Sequence, residues 1–261
     1  MMAKLMEKKP VLHAVVWILL YLALVNIAQA LSKTPDSLPL VTGALLLGLS
    51  AALMVYLKRT RRLSVLGTGK VTADDLRKAL FYLPLLLIAL VQLIQGIDPS
   101  MTVSKALALC LMMAGTGLIE ELLFRGLLFR AIRGKSGARR AILISGITFG
   151  IGHIVNLLNG YALAELAGQI AAAIVTGIVL ALLVEITGNL VPGILFHILF
   201  NISGTLTRQD STTQAYILVF IVAVAMPYAI YLRRSVAPAQ INAARDASRN
   251  AARSSNANAA G

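Results

Sequence analysis

The sequence predicts an all-α, polytopic membrane helix bundle of about eight transmembrane helices, with both termini on the cytoplasmic side (N-in/C-in). Three observations carry this. Hydrophobic residues make up 58% of the 261-residue chain and charged residues only 13%, with a mean hydropathy of +0.80. The apolar residues fall in runs of the ~20 residues that a helix needs to cross a hydrocarbon core. The basic residues cluster between those runs, as positive residues holding loops inside do. A formal charge of +13 in a soluble protein would suggest nucleic acid, but no basic–aromatic groove or nucleic-acid motif is present. The single Cys110 excludes an intramolecular disulfide.

The first run, Val11 to about Leu31, follows Lys4, Lys8 and Lys9. Ala28-Gln29-Ala30 matches a small-x-small cleavage pattern, yet the run is long for a signal peptide and reads as an uncleaved helix. Leu38 to Leu57 is the second span, closed by Lys58, Arg59, Arg61 and Arg62. Residues 67–78 form a polar cytoplasmic segment in which Thr72 could cap a short helix. The third span is Ala79 to about Ile97, and the fourth runs from Val103 to about Phe129. A basic loop, Arg130 to Arg140, is expected next, with Gly134 and Gly137 as breakers. Ala141 to Leu158 and Ala162 to Ile186 are the fifth and sixth spans. After the short turn Thr187-Gly188-Asn189, the seventh covers Leu190 to Leu206. Its Pro192 sits in the first turn, where a missing N–H costs nothing. Gln214 to Leu232 is the eighth. Residues 1–234 thus form the membrane domain. The tail 235–261, rich in Ala, Asn, Ser and Arg, lacks the apolar residues to bury a core and reads as disordered and cytoplasmic.

With this topology, 20 of the 24 Lys and Arg residues fall in cytoplasmic segments. Lys33, Lys105 and Arg208 lie on the other side, and Arg125 lies inside a helix. That asymmetry is what orients a polytopic chain.

Few strongly polar residues lie deep in the spans. Gly115 to Arg130, GTGLIEELLFRGLLFR, carries Glu120, Glu121 and Arg125 in an otherwise apolar run. An ionisable group at the centre of a membrane helix costs about 2.5–3.5 kcal/mol on insertion scales. The plain alternative is a helix end with its charges among the headgroups. Glu121 and Arg125 are spaced i, i+4 with the acid first, the favourable order for an ion pair on one helix face. Glu120 points about 100° away and has no partner on its own helix, which makes it the better candidate for chemistry. On the fifth span Gly146, Phe149, Gly150 and His153 share a face, and Gly146-x-x-x-Gly150 allows close helix approach. On the seventh, His197 and Asn201 are i, i+4 and can donate hydrogen bonds to one oxygen. At 1.5 Å per residue, Glu120, His153 and His197 lie roughly 14, 18 and 10 Å from the cytoplasmic ends of their spans, so they can meet in the cytoplasmic half of the bilayer.

Glu120-Glu121-x-x-x-Arg125, Phe149-x-x-x-His153 and His197-x-x-x-Asn201 resemble the three motifs of the CAAX prenyl protease and bacteriocin-processing (CPBP) family of intramembrane proteases. The resemblance covers about residues 104–206 and implies an endopeptidase acting within or next to the membrane. It implies that Glu120 and His153 activate a water, that His197 and Asn201 stabilise the oxyanion, and that Glu121, Arg125 and Phe149 support the site. It further implies a membrane-associated protein or peptide substrate, with no nucleic acid partner, in a bacterial cytoplasmic membrane.

The family is widely labelled metalloprotease, and Glu120, His153 and His197 form an acceptable zinc ligand set with an open position. The metal-free alternative uses Glu120 as general base. It is favoured because no H-E-x-x-H pattern is present and Asn201 suits an oxyanion better than a metal. A non-enzymatic scaffold or immunity protein is the alternative from another class. A small transporter would often show internal repeats, and none is visible.

Overall fold

A computed structural model describes residues 2–32, 34, 37–66, 80–159, 162–208 and 210–234. The expected polar segment 67–78, with its cap at Thr72, and the tail 235–261 lie outside the described residues. Ten α-helices are described: α1 Met2–Lys8, α2 Pro10–Leu31, α3 Leu38–Arg59, α4 Leu83–Leu90, α5 Val103–Glu121, α6 Arg130–Ser136, α7 Ala138–Ile151, α8 Leu163–Thr187, α9 Val191–Leu206 and α10 Ser211–Arg234. Among the described residues there is no strand, only an isolated bridge between Ile97 and Thr207.

Six helical stretches are long and apolar enough to cross a membrane, and two shorter apolar helices, Leu80–Gln95 and Val191–Leu206, lie where the third and seventh spans are expected. A 16-residue helix reaches roughly 24 Å, short of the ~30 Å hydrocarbon core. The Leu80–Gln95 stretch is also not one helix: α4 is flanked by 3₁₀ turns at Leu80–Tyr82 and Val91–Gln95.

The basic loop expected at Arg130 to Arg140 is a correction. A π-helical segment, Leu122–Phe129, joins α5 directly to α6, giving a continuous helix Val103–Ser136 of 34 residues. Gly134 does not break it. The break comes at Gly137, whose φ of +83° is a conformation that suits glycine. Glu120 is therefore roughly 24 Å from the end of its helix at Ser136, not roughly 14 Å. The helix, roughly 51 Å long by its rise, extends beyond any ordinary hydrocarbon core. The fifth span departs too: α7 ends at Ile151, and His153 lies in the 3₁₀ turn Gly152–Asn159 that follows.

The long helix is the axis of the bundle. α5 packs on α3 and α9, and its π segment packs on α2 and α7. Glycines set these approaches. A Cβ on Gly117 would stand 3.0 Å from the Ile198 backbone nitrogen on α9, and one on Gly115 would stand 3.1 Å from Leu46 Cβ on α3. Between α7 and α8, a Cβ on Gly150 would collide with Ile174 Cγ1, and one on Gly146 would meet Ile178 Cγ1 at 2.6 Å. The Gly146-x-x-x-Gly150 pattern does mark a helix crossing, and α8 is the helix it receives.

Arg133 pairs with Glu185 at the end of α8 (2.5 and 2.8 Å), and Arg130 donates to the Gly188 carbonyl (3.1 Å). Met6, Leu57, Arg62 and Lys135 line one pocket there. The basic ends of α1, α3 and α6 thus gather at one end of the bundle. At the other end Asp98 N–H donates to Leu206 O and Arg208 N–H donates to Gly96 O, both at 3.0 Å.

Candidate active site

Glu121 and Arg125 are both fully buried, and Arg125 Nη1 donates to Glu121 Oε1 at 2.6 Å. The guanidinium also donates from Nη2 to the Gly177 carbonyl (3.2 Å) and lies 4.3 Å above the Phe149 ring centroid. Gly177 has to be small: a Cβ there would come within 3.1 Å of Arg125 Nη2. Ser145 Oγ donates to Phe124 O (2.9 Å), supplying a partner for a carbonyl in the π segment, where the usual α-helical hydrogen-bond register is shifted.

Phe149 is the hub of the aromatic contacts. Its ring meets Phe124, His153 and His197 edge-on, with centroids 5.3, 5.3 and 5.5 Å apart. His197 stands between the two carboxylates. Its Nδ1 is 3.0 Å from Glu121 Oε1 and its Nε2 is 3.4 Å from Glu120 Oε2. An ionised carboxylate can only accept, so Nδ1 carries a proton toward Glu121 and Nε2 is the nitrogen turned to Glu120. Glu120 Oε1 accepts a hydrogen bond from Tyr21 Oη at 2.7 Å. The Glu120 side chain is 12% exposed and Glu121 is 0% exposed, so only Glu120 can meet a molecule in the cavity.

His153 Nδ1 is 3.3 Å from the Phe149 carbonyl. Among the described residues it makes no hydrogen bond to Glu120; the two share the wall of one cavity. The side chain of Asn201 has no hydrogen-bond partner among the described residues. Glu120, His153, His197 and Asn201 all line one cavity of about 950 Å³ between α2, the long helix and α7. His153, His197 and Asn201 also line a second, of about 530 Å³, whose wall reaches Asp98, Lys105 and Gln214 at the end opposite the basic segments. There the Ser100 N–H and hydroxyl donate to Asp98 Oδ1 (2.9 and 2.8 Å) and hold its carboxyl below the usual carboxylate range.

Spacing could not have identified Tyr21, which comes from the first long helix, 99 residues before its partner. The one available signal was a phenol inside an aliphatic run, since a buried tyrosine hydroxyl usually finds a partner.

Residues 102–203 match the family model described as Type II CAAX prenyl endopeptidase Rce1-like. The match spans less than half of the chain, and in that segment the protein is similar to CAAX prenyl endopeptidases. It opens one residue before α5, ends within α9, and includes every site residue above except Tyr21. No curated protein and no solved structure matches the chain. The Rce1-like match and the apolar helices together support a multi-pass membrane endopeptidase of the CAAX/CPBP kind, with membrane-embedded peptide or protein substrates.

The metal implied by the family's metalloprotease label requires converging ligands. Among the described residues no three His, Cys, Asp or Glu side chains come together to hold an ion. Both His197 nitrogens face carboxylates, and His153 Nδ1 faces a backbone carbonyl.

Proposed function

We propose that the chain is an intramembrane endopeptidase in which Glu120 is the general base, His153 helps to position and activate the water, and His197 with Asn201 stabilises the oxyanion. The observation that carries this is His197 held between a buried and a reachable carboxylate, at 3.0 and 3.4 Å. Glu121, neutralised by Arg125, fixes the ring through Nδ1. That leaves Nε2 directed at the space beside Glu120, the base-and-orienter arrangement of hydrolytic sites.

In the proposed reaction, Glu120 takes a proton from a water lying between it and His153, and the hydroxide adds to the scissile carbonyl carbon. Asn201 Nδ2 donates to the oxygen that becomes negative, and so does His197 Nε2 with the ring in its imidazolium form between the two carboxylates. The proton held by Glu120 passes to the amine nitrogen as the C–N bond breaks. The substrate is a membrane-associated protein or peptide, and the membrane is a bacterial cytoplasmic membrane.

The test is proteolysis of membrane-bound reporter peptides, prenylated and unprenylated, by purified protein carrying Glu120→Gln, His153→Ala or His197→Ala. Each variant should lose cleavage while keeping its membrane abundance. Full activity in Glu120→Gln would remove the general-base role, and loss of abundance instead of turnover would make the cluster structural. Comparing membrane peptides from wild-type and Glu120→Ala cells then identifies the substrate.

A further inference from the structure

We propose that the pocket at the basic end of the bundle binds a phosphate-bearing anion, such as the headgroup of an anionic phospholipid. The pocket, of about 640 Å³, lies between α1, the start of α2, the end of α3 and the junction of the π segment with α6. Its wall carries three cationic side chains, Arg62, Arg130 and Lys135, against a single carboxylate, Glu7.

These cations are not consumed by the fold. Among the described residues neither Arg62 nor Lys135 has an ion-pair partner. Arg130 uses Nη2 on the Gly188 carbonyl, while its Nε is buried without a partner. The nearby carboxylate of Glu185 is taken by Arg133, at 2.5 Å.

A second observation comes from His13, which is 1% exposed and lines the same pocket. Trp17 Nε1 can only donate, and it donates to His13 Nε2 at 3.1 Å, the nitrogen that also meets Tyr56 Oη at 3.0 Å. In the neutral ring the remaining proton is therefore on Nδ1, a donor with no partner among the described residues. Cations, the buried Arg130 Nε–H and the unpartnered His13 Nδ1–H around one cavity suit a multiply accepting anion, and phosphate offers that chemistry. Pro10, Leu57 and Leu127 supply an apolar wall beside them, where the first carbons of an acyl chain fit. Basic pockets between transmembrane helices on the cytoplasmic side are where anionic headgroups bind.

The full-length protein in nanodiscs or detergent tests this with phosphatidylglycerol against phosphatidylcholine, and with inorganic phosphate and glycerol 3-phosphate as soluble anions. Thermal stability and lipid retention by native mass spectrometry are the readouts. Phosphatidylglycerol should be retained and raise Tm, and Arg62→Gln/Lys135→Gln should weaken its retention about 25-fold, at roughly fivefold per cation. Tm in phosphatidylcholine should stay at the wild-type value. If the soluble anions give the shift and the lipid does not, the site stands and its ligand is a soluble phosphate. No anion effect, or equal retention by wild type and variant, overturns the proposal. Should the double variant fail to fold, Gly134→Asp introduces an opposing charge where a Cβ meets nothing within 4 Å. It should abolish the anion effect, and a persisting effect overturns the proposal in the same way.

Discussion

Glu121 and Arg125 are bound at 2.6 Å, one turn apart and with no solvent exposure, in the middle of the longest helix in the bundle. Removing one partner of a buried pair leaves an uncompensated charge, at about 3–5 kcal/mol. Arg125→Ala should therefore lower thermal stability and membrane abundance sharply. Arg125→Lys should rescue little, because lysine cannot reproduce the donors to Glu121 and Gly177 together with the stacking over Phe149. Wild-type melting of Arg125→Lys in detergent would show that charge alone matters there.

Glu120 takes its one strong hydrogen bond from Tyr21. Hydrogen bonds to charged groups are worth about 1.5–3 kcal/mol, so Tyr21→Phe should lower turnover roughly 10- to 100-fold on that scale. The loss should fall on kcat, with abundance near wild type, because the phenyl ring keeps its packing. Reporter-peptide kinetics measure this. Unchanged kcat would mean that the tyrosine positions nothing during the reaction.

Asn201 has a different signature. Loss of one oxyanion donor typically costs about 10²–10³-fold in rate. Asn201→Ala should show that loss in kcat with KM largely kept, and Asn201→Asp should not recover it, because a carboxylate cannot donate. A change confined to KM would move Asn201 from oxyanion stabilisation to substrate binding.

What could be read from the sequence was whatever depends on spacing within one helix. The i, i+4 spacing of Glu121 and Arg125 gave the pair, and Gly146-x-x-x-Gly150 gave a helix crossing, because both follow from 3.6 residues per turn. Spacing does not say which helix lies opposite, so Tyr21 and Gly177 were invisible despite touching Glu120 and Arg125. Nor did it show the π segment at Leu122–Phe129 or the end of α7 before His153, since both depend on backbone hydrogen-bond register. Gly134 was misread as a breaker because a glycine in a helix costs only about 1 kcal/mol.

The α7–α8 crossing supports the site from behind. A Cβ on Gly150 would lie 2.8 Å from the Ile174 backbone nitrogen, which no rotamer change relieves. Gly150→Ala should cost about 1–3 kcal/mol through overpacking and should displace Phe149 and His153 with it. Activity should fall further than stability accounts for, measured as turnover per folded molecule. An Ala variant with wild-type stability would mean that α7 can slide away from α8 freely.

The two ends of the bundle differ in charge, and that difference should fix its orientation. Arg133 lies with the basic segments, while Lys105 lines the second cavity at the opposite end beside Asp98. If positive segments are inside, a membrane-impermeant thiol reagent applied to intact cells should label Lys105→Cys and spare Arg133→Cys, in a background with Cys110 replaced by alanine. Tags at both termini should be protected together. The reverse labelling would turn the bundle over, and with it the side on which the smaller cavity opens to water. A substrate peptide excluded from the Lys105 side would then have to reach Glu120 from the bilayer, through the larger cavity beside α2.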